Sequence, residues 1–249
     1  MIRLILVLLA VFLYLIIGIV LQFVEWIIGK FNRPLKDRTS LAMVQWIFRI
    51  VLKLSGVHVT VRGKENIPTD QPVLYVGNHR SYFDILIGYT QVVGLCGFVA
   101  KKEIQKVPLL SLWMRMLYCL FLDRDNVKEG LKTILQGIDY IKKGVSIWIF
   151  PEGTRNQNEK ETDLLPFKEG SMKMAEKSGC PIIPVAIHNS YHIFERQMPL
   201  IKKTDVIITF GKPIIIKDLE KEQKKFLGAY TRSVITSMLE EYEKEDQNK

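Results

Sequence analysis

A histidine and a carboxylate stand five positions apart in Asn78-His79-Arg80-Ser81-Tyr82-Phe83-Asp84. The apolar run Val73 to Val76 precedes them and stops at Gly77, as a strand does when it delivers side chains to the mouth of a fold. On one straight helix a five-residue step leaves two side chains roughly 140° apart, so the pair cannot share a helical face. They meet if His79 sits on the loop after the strand and Asp84 in the first turn of the next helix, where a carboxylate also suits the helix dipole. A carboxylate bonded to one ring nitrogen fixes the histidine tautomer and leaves the other nitrogen free to take a proton. The plainer reading of a bare His-x4-Asp is a turn cap followed by a helix cap, and the spacing alone favours it. The rest of the chain shifts that balance.

Cations and a glycine recur after other strand-like runs. Lys102 follows the run at 95–100, Arg124 follows 118–122, and Glu152-Gly153-Thr154-Arg155 follows 145–150. Arginine forks match phosphate oxygens and lysine adds a point charge, while a glycine such as Gly153 lets backbone amides approach a ligand closely. One such base is ordinarily a solvated loop charge. Three at strand ends beside a His-Asp pair are better explained as a phosphate pocket next to a proton acceptor. A protein nucleophile is not evident, because Ser81 lies in no Gly-x-Ser-x-Gly elbow. Direct transfer between two bound substrates therefore fits better than a covalent acyl-enzyme, with backbone amides near the His79 loop or the Gly153 turn available to an oxyanion.

These residues need a scaffold of strands alternating with helices. The pattern predicts strands at 57–62, 72–77, 95–100, 118–122, 145–150, 181–187 and 205–210. Helices are expected at about 83–93, 103–117, 126–143, 167–178 and 218–243, the last followed by an acidic tail. That alternation implies one α/β domain over 56–249 with a mostly parallel, mixed sheet flanked by helices, and such sheets bind ligands at the carboxyl ends of their strands. Residues 1–55 are expected to be membrane-anchoring helices. Leu4 to Val24 is apolar but for Gln22, long enough for a bilayer, and has no small-x-small cleavage site after it. Residues 41–54 carry Gln45, Arg49 and Lys53 on one stripe, as in a helix lying at an interface with its bases toward headgroups. Between Lys30 and Lys64 there are eight Lys or Arg and one acid, Asp37, which places the bulk of the chain on the cytoplasmic face of the cell membrane by the positive-inside rule.

The net charge of +9 suits anionic membrane lipids, acidic substrates or nucleic acid. The apolar N-terminus and the lack of a nucleic-acid module argue against the last. Cys96, Cys119 and Cys180 form no CxxC and read as buried thiols, and the four histidines lack metal-ligand spacing.

Four stretches, in order, resemble the motifs of the glycerolipid acyltransferases. Asn78 to Asp84 resembles their NHxxxxD, Phe121-Leu122-Asp123-Arg124 the second motif, and Phe150-Pro151-Glu152-Gly153-Thr154-Arg155 the FPEGTR motif. Pro181 to Ile187 resembles the fourth, an apolar strand with proline, and the likeness spans about residues 56–215. The resemblance implies a membrane enzyme that moves a fatty acyl group from an acyl-carrier-protein or coenzyme A thioester to the 2-hydroxyl of 1-acylglycerol 3-phosphate (lysophosphatidic acid), giving phosphatidic acid for phospholipid synthesis. It implies His79 as general base and Asp84 as its orienting partner. Lys102, Arg124 and Arg155 would bind the substrate phosphate, Glu152, Gly153 and Thr154 would shape the acceptor pocket, and no metal or further cofactor would be needed. Glycerol 3-phosphate or another lysolipid is an alternative acceptor within the family. An inactive, anchored binder of anionic lipid is the alternative outside it.

Overall fold

The computed structural model describes residues 1–247. Two helices come first, α1 (Ile2–Phe31) and α2 (Arg33–Ser55). There follow β1 (Val57–Arg62), β2 (Leu74–Gly77), α3 (Phe83–Gln91), β3 (Cys96–Lys101), α4 (Pro108–Met116), β4 (Leu120–Leu122), α5 (Val127–Lys142) and β5 (Ser146–Ile149). The chain ends with α6 (Lys173–Ser178), β6 (Ile182–His188), β7 (Thr204–Phe210), α7 (Lys221–Lys225) and α8 (Leu227–Gln247). The strands form one sheet in the order β1-β7-β6-β2-β5-β3-β4. From β6 to β4 all pairings are parallel, whereas β7 runs antiparallel to β6 and carries β1 parallel to itself. The expected mostly parallel, mixed α/β sheet is therefore present.

The central strands β2 and β5 are buried along their whole length, as strands covered on both faces are. One face packs against a core that takes in Val44, Ile47, Val51, Ile87, Trp113 and Trp148, from α2, α3, α4 and the sheet. The other packs against α5, α6 and α8 through residues such as Ile138, Met174, Ile235 and Leu239. The backbones come close at Gly97, where an added Cβ would lie 2.1 Å from the Tyr118 carbonyl oxygen. Cys96, Cys119 and Cys180 are free and buried as expected, and burial raises the pKa of each thiol.

The N-terminal helices are longer than their apolar pattern indicated. α1 has the length and composition to cross a membrane, about 45 Å at 1.5 Å per residue. Two of its polar residues point inward: Gln22 Nε2 donates to the Leu109 carbonyl, and the buried Glu25 accepts from the Thr39 and Ser40 hydroxyls of α2. Tyr14 stacks on Trp113 of α4 at 5.5 Å. Large apolar side chains such as Ile5, Leu9, Phe12, Ile16, Val20 and Phe23 are left exposed. α2 begins at Arg33, with the Asn32 side chain accepting from Leu35 N. One detail of its expected orientation is corrected. Gln45 faces the protein, donating to the Tyr89 and Val92 carbonyls at the end of α3, while Arg49 and Lys53 are exposed. Carbonyls at the C-terminal end of a helix lack an intrahelical partner, and Gln45 bonds to these two. The C-terminal region differs too: α8 continues through the acidic stretch to Gln247, and the last two residues of the expected tail lie outside the described residues.

The topology brings the segments after β2, β5, β3, β4 and β6 to a single sheet edge. The antiparallel turn from β6 into β7 places the start of β7 there as well.

Candidate active site

β2 ends at Gly77, and the next residue pins the loop. Asn78 Nδ2 donates to the Ile187 carbonyl and its Oδ1 accepts from Ile187 N, at 2.9 and 2.8 Å. This side chain thus extends the β2–β6 ladder by one rung before the chain turns. His79 is on the loop and Asp84 in the first turn of α3, the only arrangement the spacing allows. His79 Nδ1 lies 2.9 Å from Asp84 Oδ2. The same oxygen accepts from Arg80 N and Ser81 N, both at 2.7 Å, and Asp84 is 0% exposed. An ionised carboxylate holding two amides leaves the imidazole as its third donor, which puts the ring proton on Nδ1 and the free lone pair on Nε2. The His79 side chain is 15% exposed and Nε2 has no protein partner among the described residues.

Phe150, just after β5, stacks on the His79 ring with centroids 4.2 Å apart and 15° between planes, which holds the imidazole in line with Asp84. The buried Glu152 braces the backbone beneath. Its two oxygens accept from His79 N at 2.8 Å and Leu165 N at 2.9 Å, and Asn156 N donates to the His79 carbonyl. Burial raises the Glu152 carboxyl above the usual glutamate range, against the two amide bonds that lower it. Its side chain thus joins the His79 loop to the segment after β5. Gly153 turns there with φ +77° beside the Lys168 side chain, and Thr154 is exposed.

The amides of the His79 loop are all occupied: those of His79 to Phe83 bond to side chains, and that of Asp84 bonds to the Ser81 carbonyl. The expectation that this loop supplies an oxyanion donor is corrected, because Asp84, Glu152, Glu195 and Ser81 have taken them. Gly153 N is also taken, by the Phe150 carbonyl.

The three cations differ in how they are held. Arg155 lies flat over the Tyr82 ring, 3.6 Å from its centroid. It donates to the Tyr82 hydroxyl at 2.9 Å and to Glu195 Oε1 at 3.2 Å. Glu195 Oε1 also accepts from Tyr82 N, so Arg155 is drawn to the N-terminus of α3, next to the His-Asp pair. Lys102 bonds to Asp123 at 2.7 Å, which raises the lysine pKa and lowers that of the carboxyl. Arg124 forms no hydrogen bond or ion pair among the described residues; loss of hydration by crowding lowers its pKa, opposed by Glu103 and Asp125. By strand order, β2 and β4 are three strands apart, roughly 14 Å at the usual spacing. Arg155 is tied to the His79 loop through Tyr82 and Glu195, while Lys102 and Arg124 stand farther along the same edge.

Residues outside the expected set complete the arrangement. Glu195 and Tyr82 seat Arg155, and Arg80, itself buried, lies over the Tyr191 ring at 4.9 Å with a bond to the Asn158 carbonyl. Glu195 and Tyr191 come from the segment between β6 and β7, whose sequence has no spacing relation to His79. Only the antiparallel return into β7 brings them there. His188, at the end of β6, pairs with Glu161 and stacks on Tyr242. Among the described residues no group of three or more His, Cys, Asp or Glu is placed to hold a metal ion.

Residues 58–188 match the family model described as Acyltransferase. The chain is 32% identical over 206 residues to the 1-acyl-sn-glycerol-3-phosphate acyltransferase of Borreliella burgdorferi, covering 82% of this chain and 80% of that one. It is likewise 32% identical to the enzyme of that name from Saccharomyces cerevisiae, over 80% of this chain and 66% of the relative. Its fold matches the crystal structure of the 1-acyl-sn-glycerophosphate (LPA) acyltransferase PlsC from Thermotoga maritima with a TM-score of 0.82. That match has 25% identity and covers 97% of this chain and 95% of the other.

Proposed function

The chain belongs to the acyltransferase family, and from that premise we propose that it moves a fatty acyl group from a thioester to the 2-hydroxyl of 1-acylglycerol 3-phosphate, forming phosphatidic acid. The observation that carries this reading is the oriented His79–Asp84 pair, with Nε2 unbonded, beside a seated Arg155.

His79 Nε2 takes the proton of the acceptor hydroxyl as its oxygen attacks the thioester carbonyl. A C–O bond forms, the C–S bond breaks, and the proton on His79 passes to the departing thiolate. The imidazolium formed on the way is stabilised by Asp84, which keeps its charge. Arg155 binds the acceptor phosphate in a bidentate fork, with Arg124 and Lys102 farther along the edge as additional charge. The acceptor, with its acyl tail, enters from the bilayer side. The exposed apolar face of α1 supports membrane anchoring, and the eight cations between Lys30 and Lys64 support a cytoplasmic placement of the domain. Transfer is direct, with acyl-carrier protein or coenzyme A as leaving group and no metal.

The test is acyl transfer from a radiolabelled thioester in detergent–lipid micelles, with the unmodified protein and His79→Ala side by side. Lysophosphatidic acid, glycerol 3-phosphate and lysophosphatidylcholine serve as parallel acceptors. Phosphatidic acid formed by the first and lost in the second supports the proposal. Product only with another acceptor keeps the chemistry and changes the substrate. No product with any acceptor, from a folded and membrane-bound protein, leaves an anionic-lipid binder.

A further inference from the structure

A cavity of about 500 Å³ lies between the end of β6 and the start of β7, and His79 is not part of its lining. Its lining includes Asn189, His192, Arg196, Lys202, Lys203 and Thr204. Three of these are permanent cations. The one carboxylate at the rim, Asp205, lies 3.8 Å from His58 Nδ1. Arg196 is in contact with His192 Nε2, and His192 has its pKa lowered by burial and then by Arg196. A neutral imidazole beside three cations suits an anionic ligand that brings its own charge.

The cavity shares a wall with the site already described. Along the 189–197 segment, Tyr191 and Glu195 turn to Arg80, Tyr82 and Arg155, while His192 and Arg196 line the cavity. Sheet order puts it two strands from β2, roughly 10 Å away, on the side opposite Lys102 and Arg124. His79 thus stands between two cationic regions. Direct transfer with no covalent intermediate requires two substrates at this end of the sheet at once, each with its own charged group to seat.

We propose that this cavity is a second phosphate site, which seats the phosphate-bearing head of the acyl donor, the phosphopantetheine group common to coenzyme A and acyl-carrier protein. The proposal rests on the thioester reading above. Lys203 also lies next to Arg3 at the start of α1, both within 3.4 Å of where a Gly56 Cβ would be, so a lipid headgroup is the competing source of phosphate.

The experiment uses the full chain in micelles and a double variant, Lys202→Ala with Lys203→Ala, whose melting point checks the fold. Binding of coenzyme A is measured by calorimetry without turnover, and donor KM is measured with acyl-coenzyme A and acyl-carrier protein. The expected result is a loss of coenzyme A affinity and a rise in donor KM of roughly tenfold or more, the weight of at least one charge-assisted hydrogen bond. Acceptor KM and kcat stay as they were. A shift with one donor and not the other, where both are turned over, overturns the assignment to the head group they share. Unchanged affinity and KM for both donors overturn it. So does a variant that instead loses binding to phosphatidylglycerol vesicles or raises only the acceptor KM, which assigns the cavity to a headgroup. The calorimetric arm involves no acceptor, so it remains decisive even if 1-acylglycerol 3-phosphate is not the substrate.

Discussion

Asp84→Asn isolates the charge on the carboxylate from the shape of the loop. Asp84 Oδ2 accepts three hydrogen bonds, from His79 Nδ1, Arg80 N and Ser81 N, while Oδ1 is buried without a partner. The asparagine amide has one orientation that works, with its oxygen in the Oδ2 position. Reversed, its NH₂ would face three N–H donors. In the working orientation all three bonds persist, the Nδ1–H tautomer is kept, and the new NH₂ takes the buried Oδ1 position, which has no hydrogen-bond partner in the native loop. An unsatisfied buried donor costs about 1–3 kcal/mol, so the protein folds with a lowered melting point. What is lost in catalysis is the charge-assisted part of the bond to the developing imidazolium. Such a bond is worth about 1.5–3 kcal/mol, which at 1.36 kcal/mol per decade lowers kcat roughly 10- to 150-fold. The assay follows thiol release and product together at saturating acceptor, with circular dichroism on the same samples. A folded variant with near wild-type kcat would refute the orienting role of Asp84. A variant that fails to fold would refute the claim that the loop needs only an acceptor at Oδ2.

Three other expectations follow from the same structure. Arg155→Ala removes the fork held over Tyr82, so the acceptor KM should rise roughly tenfold or more while the donor KM stays put; an unchanged acceptor KM would count against phosphate contact. Gly97→Ala drives a Cβ onto the Tyr118 carbonyl at 2.1 Å, and urea titration should show a loss of at least about 1–3 kcal/mol, where an unshifted midpoint would contradict the β3–Tyr118 packing. Burial holds the Glu152 carboxyl above its unfolded value, so its stabilising share is fully present below the ordinary glutamate pKa and is lost as the pH rises through the raised one. Relative to Glu152→Gln, the unmodified protein should therefore lose melting temperature from acid toward neutral pH, and a gain over that range would reverse the assigned direction.

Much of this site is local and so was legible from residue types and spacing. His79 and Asp84 are five positions apart, and the only way they meet is a loop followed by a first helical turn, which is what forms. The alternation of apolar runs and helical patterns likewise marked where strands and helices fall along the chain, whereas the order of the strands across the sheet came only with the fold. The N-terminal apolar stretch marked a helix long enough for a bilayer. Its inward partners, Gln22 on Leu109 and Glu25 on Thr39, were not readable, since an apolar helix exposes no periodic face to reveal its packing. Tertiary structure alone decided which oxygens hold the amides of the His79 loop, and it closed that loop to an oxyanion. It also decided that Arg155 is seated by Glu195 and Tyr82, and that a basic cavity stands behind the same wall. Glu195 is 40 residues from Arg155 and more than 110 from Tyr82. No local periodicity links positions so far apart; they are joined by the antiparallel turn of β7 against β6, which is set by burial of the sheet as a whole.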